Sequence, residues 1–261
     1  MNTYVIAEIG STHANSLETA LFLVDACAKA GVSACKFQYW SDAKRLAERR
    51  HAPEMAEKYA AFQMPVTWLL PLKHRCQEQK VQFGCTAYLP EDLPTLAPLV
   101  DFWKIASFEA GDIDFYLAHE RFSRRPTYIS TGLSTAEELE AFKGWYDFPE
   151  VYLLHCISGY PTPLTEVSLA VINAYGLDGF SDHTGEVCTG GLAVMAGAKI
   201  IEVHVKPLDC HPKNPDFPHS LTPWQLGGYL GHVRRAEIVI GAPHREIQPS
   251  EQGNVRYRVR R

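Results

Sequence analysis

Two lysines stand inside apolar runs, Lys36 in ACKFQYW and Lys104 in DFWKIASFE. A buried unpaired ammonium is costly, so each needs a partner. Hydroxyl residues recur at the ends of comparable runs: Thr86, Ser107, Ser130 and Ser181. Ammonium and hydroxyl donors suit a phosphate or carboxylate ligand. A bound anion is therefore one solution, and internal pairing with Glu8, Glu109, Asp182 or Glu202 is the other. His183 and His204 close two further runs. Two neutral imidazoles can share a divalent ion, although a hydrogen-bonded histidine at a strand end satisfies the same pattern. Glu202 and His204 are two apart and share a face in a strand.

These residues acquire a common location from the elements that carry them. Short β-rich runs at 4–10, 33–38, 81–86, 102–107, 126–131, 151–156, 179–183 and 200–205 read as strands. Between them, 17–30, 67–79, 91–99, 112–121, 135–145, 166–174 and 187–196 have apolar residues at helical spacing, and a last helix covers about 223–240. Such alternation implies parallel strands with crossover helices. Eight repeats fit an α/β fold of the closed (β/α)8 TIM-barrel kind. An open doubly wound sheet is the alternative, but the first turn, Gly10-Ser11-Thr12-His13, is no glycine-rich dinucleotide loop.

In such a barrel the carboxyl ends of the strands surround the active site. Glu8, Lys36, Thr86, Lys104, Ser107, Glu109, Ser130, Ser158, Tyr160, Ser181, His183 and His204 all fall at or just beyond those ends, and Asp216 lies in the loop after strand eight. The long, basic connection 41–65 is either a solvated helix or a loop over the mouth. The barrel is expected to span 1–245. The basic, alternating tail 246–261 is either an extra strand or a frayed end.

Composition narrows the class. The chain has 261 residues, 46% hydrophobic and 21% charged, with a net charge of −5. That is globular composition, and it gives no reason to expect nucleic acid as a partner. No window holds the roughly 18 consecutive apolar residues of a membrane helix. The start reads as a strand and not a signal peptide, which makes the cytoplasm the expected location. Seven cysteines without a CxxC pair argue against a disulfide framework. Cys35, Cys85 and Cys156 read as small buried hydrophobes.

The segments AEIG (7–10), KFQ (36–38), WKIASFE (103–109), ISTGLST (129–135), LLHCISGYPTP (153–163), GFSDHTG (179–185) and IIEVHVKPLD (200–209) resemble the sialic acid synthases. The likeness runs from Tyr4 to about Leu226. It implies a barrel enzyme that condenses phosphoenolpyruvate with the aldehyde of an N-acyl hexosamine or a related sugar, releasing phosphate and a 2-keto-3-deoxy acid. It also implies a divalent cofactor, manganese first, with magnesium or cobalt as alternatives, and it points to a homodimer as one assembly. By the same likeness Lys36, Thr86, Lys104, Ser107, Ser130, Tyr160 and Ser181 match phosphoenolpyruvate positions. Ser158 matches a substrate contact, and His183 and His204 match metal ligands. Glu8, Glu109 and Asp216 match carboxylates of the reacting site.

The departures from that family gather on the sugar side. The sequence ends at Arg261, before the antifreeze-like domain through which a partner subunit gives an arginine to the sugar pocket. Strand eight reads EVH where a basic residue is usual, the connection after strand two is shorter than the family's usual one, and STHAN replaces the commoner NHxG. A retained reaction with an open acceptor follows, and the arginine-rich tail is one source of a replacement cation. A metal-dependent sugar isomerase or aldolase, and a non-catalytic sugar- or phosphate-binding barrel, are the competing readings.

Overall fold

A computed structural model of the chain describes residues 2–241 and 246–259. Eight parallel strands close into a barrel in sequence order. They are β1 (Tyr4–Glu8), β2 (Ala34–Tyr39), β3 (Gln82–Ala87), β4 (Phe102–Ile105), β5 (Thr127–Ser130), β6 (Val151–His155), β7 (Gly179–Asp182) and β8 (Ile200–His204). The helices are α1 (Leu17–Ala30), α2 (Ala43–Arg49), α3 (Ala56–Ala61), α4 (Leu69–Glu78), α5 (Leu93–Leu96), α6 (Ile113–Phe122), α7 (Ala136–Trp145), α8 (Ala170–Tyr175), α9 (Thr189–Met195) and α10 (Pro223–Ile240). The (β/α)8 barrel is thus the fold, and the open sheet is excluded because β1 pairs with β8 as well as β2.

Two expected helices are shorter than the apolar pattern suggested. The 91–99 stretch keeps only α5, preceded by the 3-10 turn Pro90–Asp92. Pro98 has no N–H to continue the ladder and disfavours helix in the residue before it. The 166–174 stretch keeps only α8. The connection 41–65 is helical and also lies over the mouth, so both readings of it hold in part: α2 and α3 form there, and their side chains line the central cavity.

Period-two alternation divides each strand between two cores. Val5, Ala7, Cys35, Phe37, Phe83, Cys85, Trp103, Phe180, Ile201 and Val203 pack outward against helices in the main apolar cluster. Ile6, Ala34, Phe102, Tyr128, Leu154 and Ile200 fill the barrel axis from within. At the amino-terminal end, Tyr128 stacks between Tyr4 and Tyr152, with ring centroids 5.7 and 5.4 Å away, and Phe102 meets its edge. This aromatic layer is the floor. All seven cysteines are free, and only Cys188 is exposed, as expected of buried hydrophobes at Cys35, Cys85 and Cys156.

The inner layer packs only because small residues face large ones. Gly84 pairs with Phe102, whose ring occupies the space a Cβ would need. Gly179 is equally tight and less forgiving, since a Cβ there would lie 2.1 Å from the Ile200 carbonyl oxygen. That neighbour is backbone and cannot rotate away. Gly179→Ala is expected to destabilise the chain at the upper end of the roughly 1–3 kcal/mol typical of overpacking, read as a lowered urea midpoint with an unchanged m-value.

The described part of the tail, 246–259, contains no strand. Pro249–Tyr257 forms a 3-10 helix, begun by Pro249 and a reciprocal Gln248–Glu251 cap. Strand formation would need a free sheet edge, and a closed barrel has none. The expected boundary at 245 and the last two residues lie outside the described residues. Among the described residues no helix is long and apolar enough to cross a membrane.

Candidate active site

Above the aromatic floor the inward side chains turn from apolar to charged. Register places Glu8 beside Lys36, Thr86 beside Lys104, and Ser181 beside Glu202. Lys36 Nζ lies 2.5 Å from Glu8 Oε2, 2.7 Å from Thr86 Oγ1 and 3.4 Å from Glu202 Oε1. Lys104 Nζ donates to Ser130 Oγ at 2.7 Å and to the Ile105 carbonyl at 2.8 Å, and stands 3.7 Å from Glu202 Oε2. Ser181 Oγ donates to Glu202 Oε2 at 2.6 Å. Every one of these side chains is buried.

The internal-pairing solution is therefore realised. The lysines have partners within the chain, so their burial does not by itself require a ligand. The pairing is uneven, however. Burial and the neighbouring Glu202 push the Glu8 carboxyl up to about 7, although Lys36 opposes this. Glu202 is held down to about 2 by Lys104 and Lys36, against its own burial. Glu8 and Glu202 raise the Lys36 ammonium against the cost of burial, whereas burial lowers Lys104. With Glu8 protonated, two cations face one anion, and the array carries an excess positive charge.

A cavity of about 420 Å³ opens above this array. Its walls include Trp40, Tyr59, Tyr88 and Phe108, together with His204 at the end of β8, Tyr160 from the segment after β6 and Asp216 from the loop after β8. Ser107 and Ser158 meet at its side, with their hydroxyl oxygens 2.7 Å apart. Asp216 Oδ2 accepts from the Ser11 N–H at 2.7 Å and the Ser11 hydroxyl at 2.9 Å, which ties the loop after β8 to the turn after β1.

Arg50, which ends α2, reaches down into the same space. Its Nε and Nη2 both donate to Glu109 Oε1, at 2.9 and 2.7 Å, and its guanidinium lies against the rings of Tyr88 and Phe108. Burial raises the Glu109 carboxyl while Arg50 lowers it. Glu109 Oε2 has no hydrogen-bond partner. Sequence reasoning passed over Arg50, because nothing in the run ERRH distinguishes it from Arg49 next to it. Among the described residues none of the tail lines this cavity, and its walls carry two cations of their own, Arg50 and Lys58.

The imidazoles gather at the rim. The His183 and His204 ring centroids are 5.3 Å apart, and His219, which sequence reasoning also missed, lies 4.5 Å from His204. His183 Nδ1 is 2.8 Å from the Ile157 carbonyl oxygen and so donates there, leaving Nε2 with its lone pair. His204 Nδ1 is buried and has no hydrogen-bond partner. Burial lowers His183 and takes His204 well below its ordinary range, so both rings are neutral at pH 7, the form that binds a metal. The donor set fits a divalent cation.

The chain matches the NeuB family over residues 23–245. It is 31% identical to the pseudaminic acid synthase of Campylobacter jejuni, across 91% of this chain and 75% of that one. It is 29% identical to the N,N'-diacetyllegionaminic acid synthase of Legionella pneumophila, across 96% and 77%. The N-acetylneuraminic acid synthetase of Leptospira borgpetersenii superposes with a TM-score of 0.87 at 28% identity, over 98% of this chain and 91% of that one. Fold, site and likeness together define a carbon–carbon bond-forming synthase of the phosphoenolpyruvate-condensing class on a (β/α)8 barrel. Within that class the chain belongs to the NeuB family.

Proposed function

We propose that the enzyme joins C3 of phosphoenolpyruvate to the aldehyde carbon of an open-chain N-acyl hexosamine or a relative, giving a 2-keto-3-deoxy acid and inorganic phosphate. The observation that carries this reading is the buried Glu8–Lys36–Glu202–Lys104 array beneath an aromatic-walled cavity. Lys36, Lys104, Thr86, Ser130 and Ser181 hold the phosphate and carboxylate by charge and hydrogen bonding, with Ser107, Ser158 and Tyr160 beside them. An arriving anion favours the protonated form of Glu8, which leaves both lysines with charge to spare.

His183 and His204 would hold a divalent ion, manganese, magnesium or cobalt, which when bound supplies Lewis acidity towards the aldehyde oxygen. The C2–C3 π electrons of the enol form the new bond. The aldehyde C=O pair becomes an alkoxide that takes the proton carried by Glu8, and water adds at C2 as its own proton passes to the Glu109 carboxylate. The resulting hemiketal phosphate collapses, its C–O bond breaks, and phosphate departs as the C2 carbonyl forms. Asp216 orients the acceptor from the rim.

The test is phosphate release from phosphoenolpyruvate with manganese, across N-acyl hexosamines, their 6-phosphates and simple aldoses. Release that requires both sugar and metal is the expected outcome. An isomerase or aldolase would turn over sugar without phosphoenolpyruvate, and a binding module would turn over nothing. Either result overturns the proposal.

A further inference from the structure

His219 belongs to no expected feature of the site, yet its surroundings are built with care. It ends the 3-10 turn Phe217–His219, and Asp216 stands just before that turn. Residues three apart eclipse on a 3-10 helix, so Asp216 and His219 face the same way. The turn is fastened on several sides. Ser220 Oγ donates to the Asp216 carbonyl at 2.6 Å, Lys206 Nζ donates to the Phe217 carbonyl at 2.6 Å, and the backbone of Pro218 and His219 packs against Gly185.

The imidazole held this way is almost wholly buried, and neither of its nitrogens has a hydrogen-bond partner. The nearest candidate, Asp216 Oδ1, is 3.7 Å from Nε2, too far for a hydrogen bond. A purely packing role against Tyr160 and His204, whose ring centroids lie 5.1 and 4.5 Å away, would be met by phenylalanine without two unsatisfied polar atoms. One ligand atom each from His204, Asp216 and His219 fall within 4.8 Å of one another, and the His183 ring lies 5.9 Å from that of His219. Bonds of about 2.1 Å to a tetrahedral ion hold ligand atoms about 3.4 Å apart, so the Asp216–His219 pair at 3.7 Å is already near that spacing, and His204 would close by little more than an ångström at most.

We propose that His219 is a third imidazole ligand beside His183 and His204, with Asp216 as the carboxylate, so that this chain binds a borderline cation of the zinc or cobalt kind through a nitrogen-rich set. Imidazole suits such ions, whereas manganese and magnesium depend more on oxygen donors. The contribution of His219 is therefore larger for zinc than for manganese. The inference rests on the reading of His183 and His204 as ligands. That reading fails separately, if the wild-type chain binds neither ion, and the phosphate-release test is independent of both.

The experiment is a competition titration of the metal-free full chain with Zn2+ and Mn2+, for wild type and His219→Phe. The variant keeps the ring and removes both nitrogens, and its metal-free melting temperature reports folding. The expected result is zinc affinity weakened by about tenfold or more, with a smaller change for manganese. Zinc affinity within twofold of wild type overturns the proposal. Should the variant not fold, the wild-type chain loaded with Co2+ decides the matter through its paramagnetically shifted imidazole N–H signals. A shifted N–H signal assigned to His219 supports the ligand, and its absence in the cobalt-loaded chain overturns it.

Discussion

Lys36→Met is expected to destabilise the chain by about 3–5 kcal/mol, as removal of one partner from a buried ion pair does, and to lower turnover by at least about 10²–10³-fold. The lysine stands between Glu8 and Glu202. Without it two buried carboxylates face each other, and one must take a proton. The two losses have different origins and separate in the double variant. Glu8→Gln added to Lys36→Met removes the orphaned carboxylate, so most of the stability returns. The site still lacks its ammonium and now also a carboxylate of the proton chemistry, so turnover does not. Urea unfolding and phosphate release at saturating substrate check the pair. A double variant that regained turnover would reduce Lys36 to a structural role.

The second large effect belongs to Arg50. Arg50→Ala leaves Glu109 almost fully buried without its counter-ion and opens the wall between Tyr88 and Phe108. The KM for the sugar acceptor is expected to rise about 10–100-fold, which corresponds to roughly 1.4–2.7 kcal/mol. The KM for phosphoenolpyruvate stays near the wild-type value, because Lys36 and Lys104 are untouched. Arg50→Lys restores the charge but not the fork of two donors on one oxygen, so an intermediate KM follows. Initial rates with each substrate varied in turn provide the check. Equal rises in both KM values would place Arg50 outside the acceptor pocket.

The fold was legible because the barrel writes itself along the chain. Apolar runs such as YVIAE and IIEVH recur between helical patterns, and each strand lies within two residues of its expected bounds. Lys36 and Lys104 were legible for the same reason, since a charge inside an apolar run has few explanations. Internal pairing was one of two solutions the residues left open, and which of them held was not legible. Glu202 reaches them only because β8 closes onto β1, and closure is a property of the whole barrel rather than of any segment. Arg50 and His219 escaped notice because they sit at the end of a short helix and in a 3-10 turn, where no periodicity marks an inward residue. The spacing of Asp216 and His219, three apart beyond the last strand, was the one signal available for the latter.

The aromatic floor has a consequence for traffic. Tyr4, Phe102, Tyr128 and Tyr152 close the lower end of the barrel, so the mouth serves as both entrance and exit. Lys36 and Lys104 lie beneath the cavity and do not line it. A small anion can reach them only while the space above is vacant, and a sugar seated there shuts the anion in. On the proposed function, the anion therefore arrives before the sugar, and the shape of the chamber is what orders them.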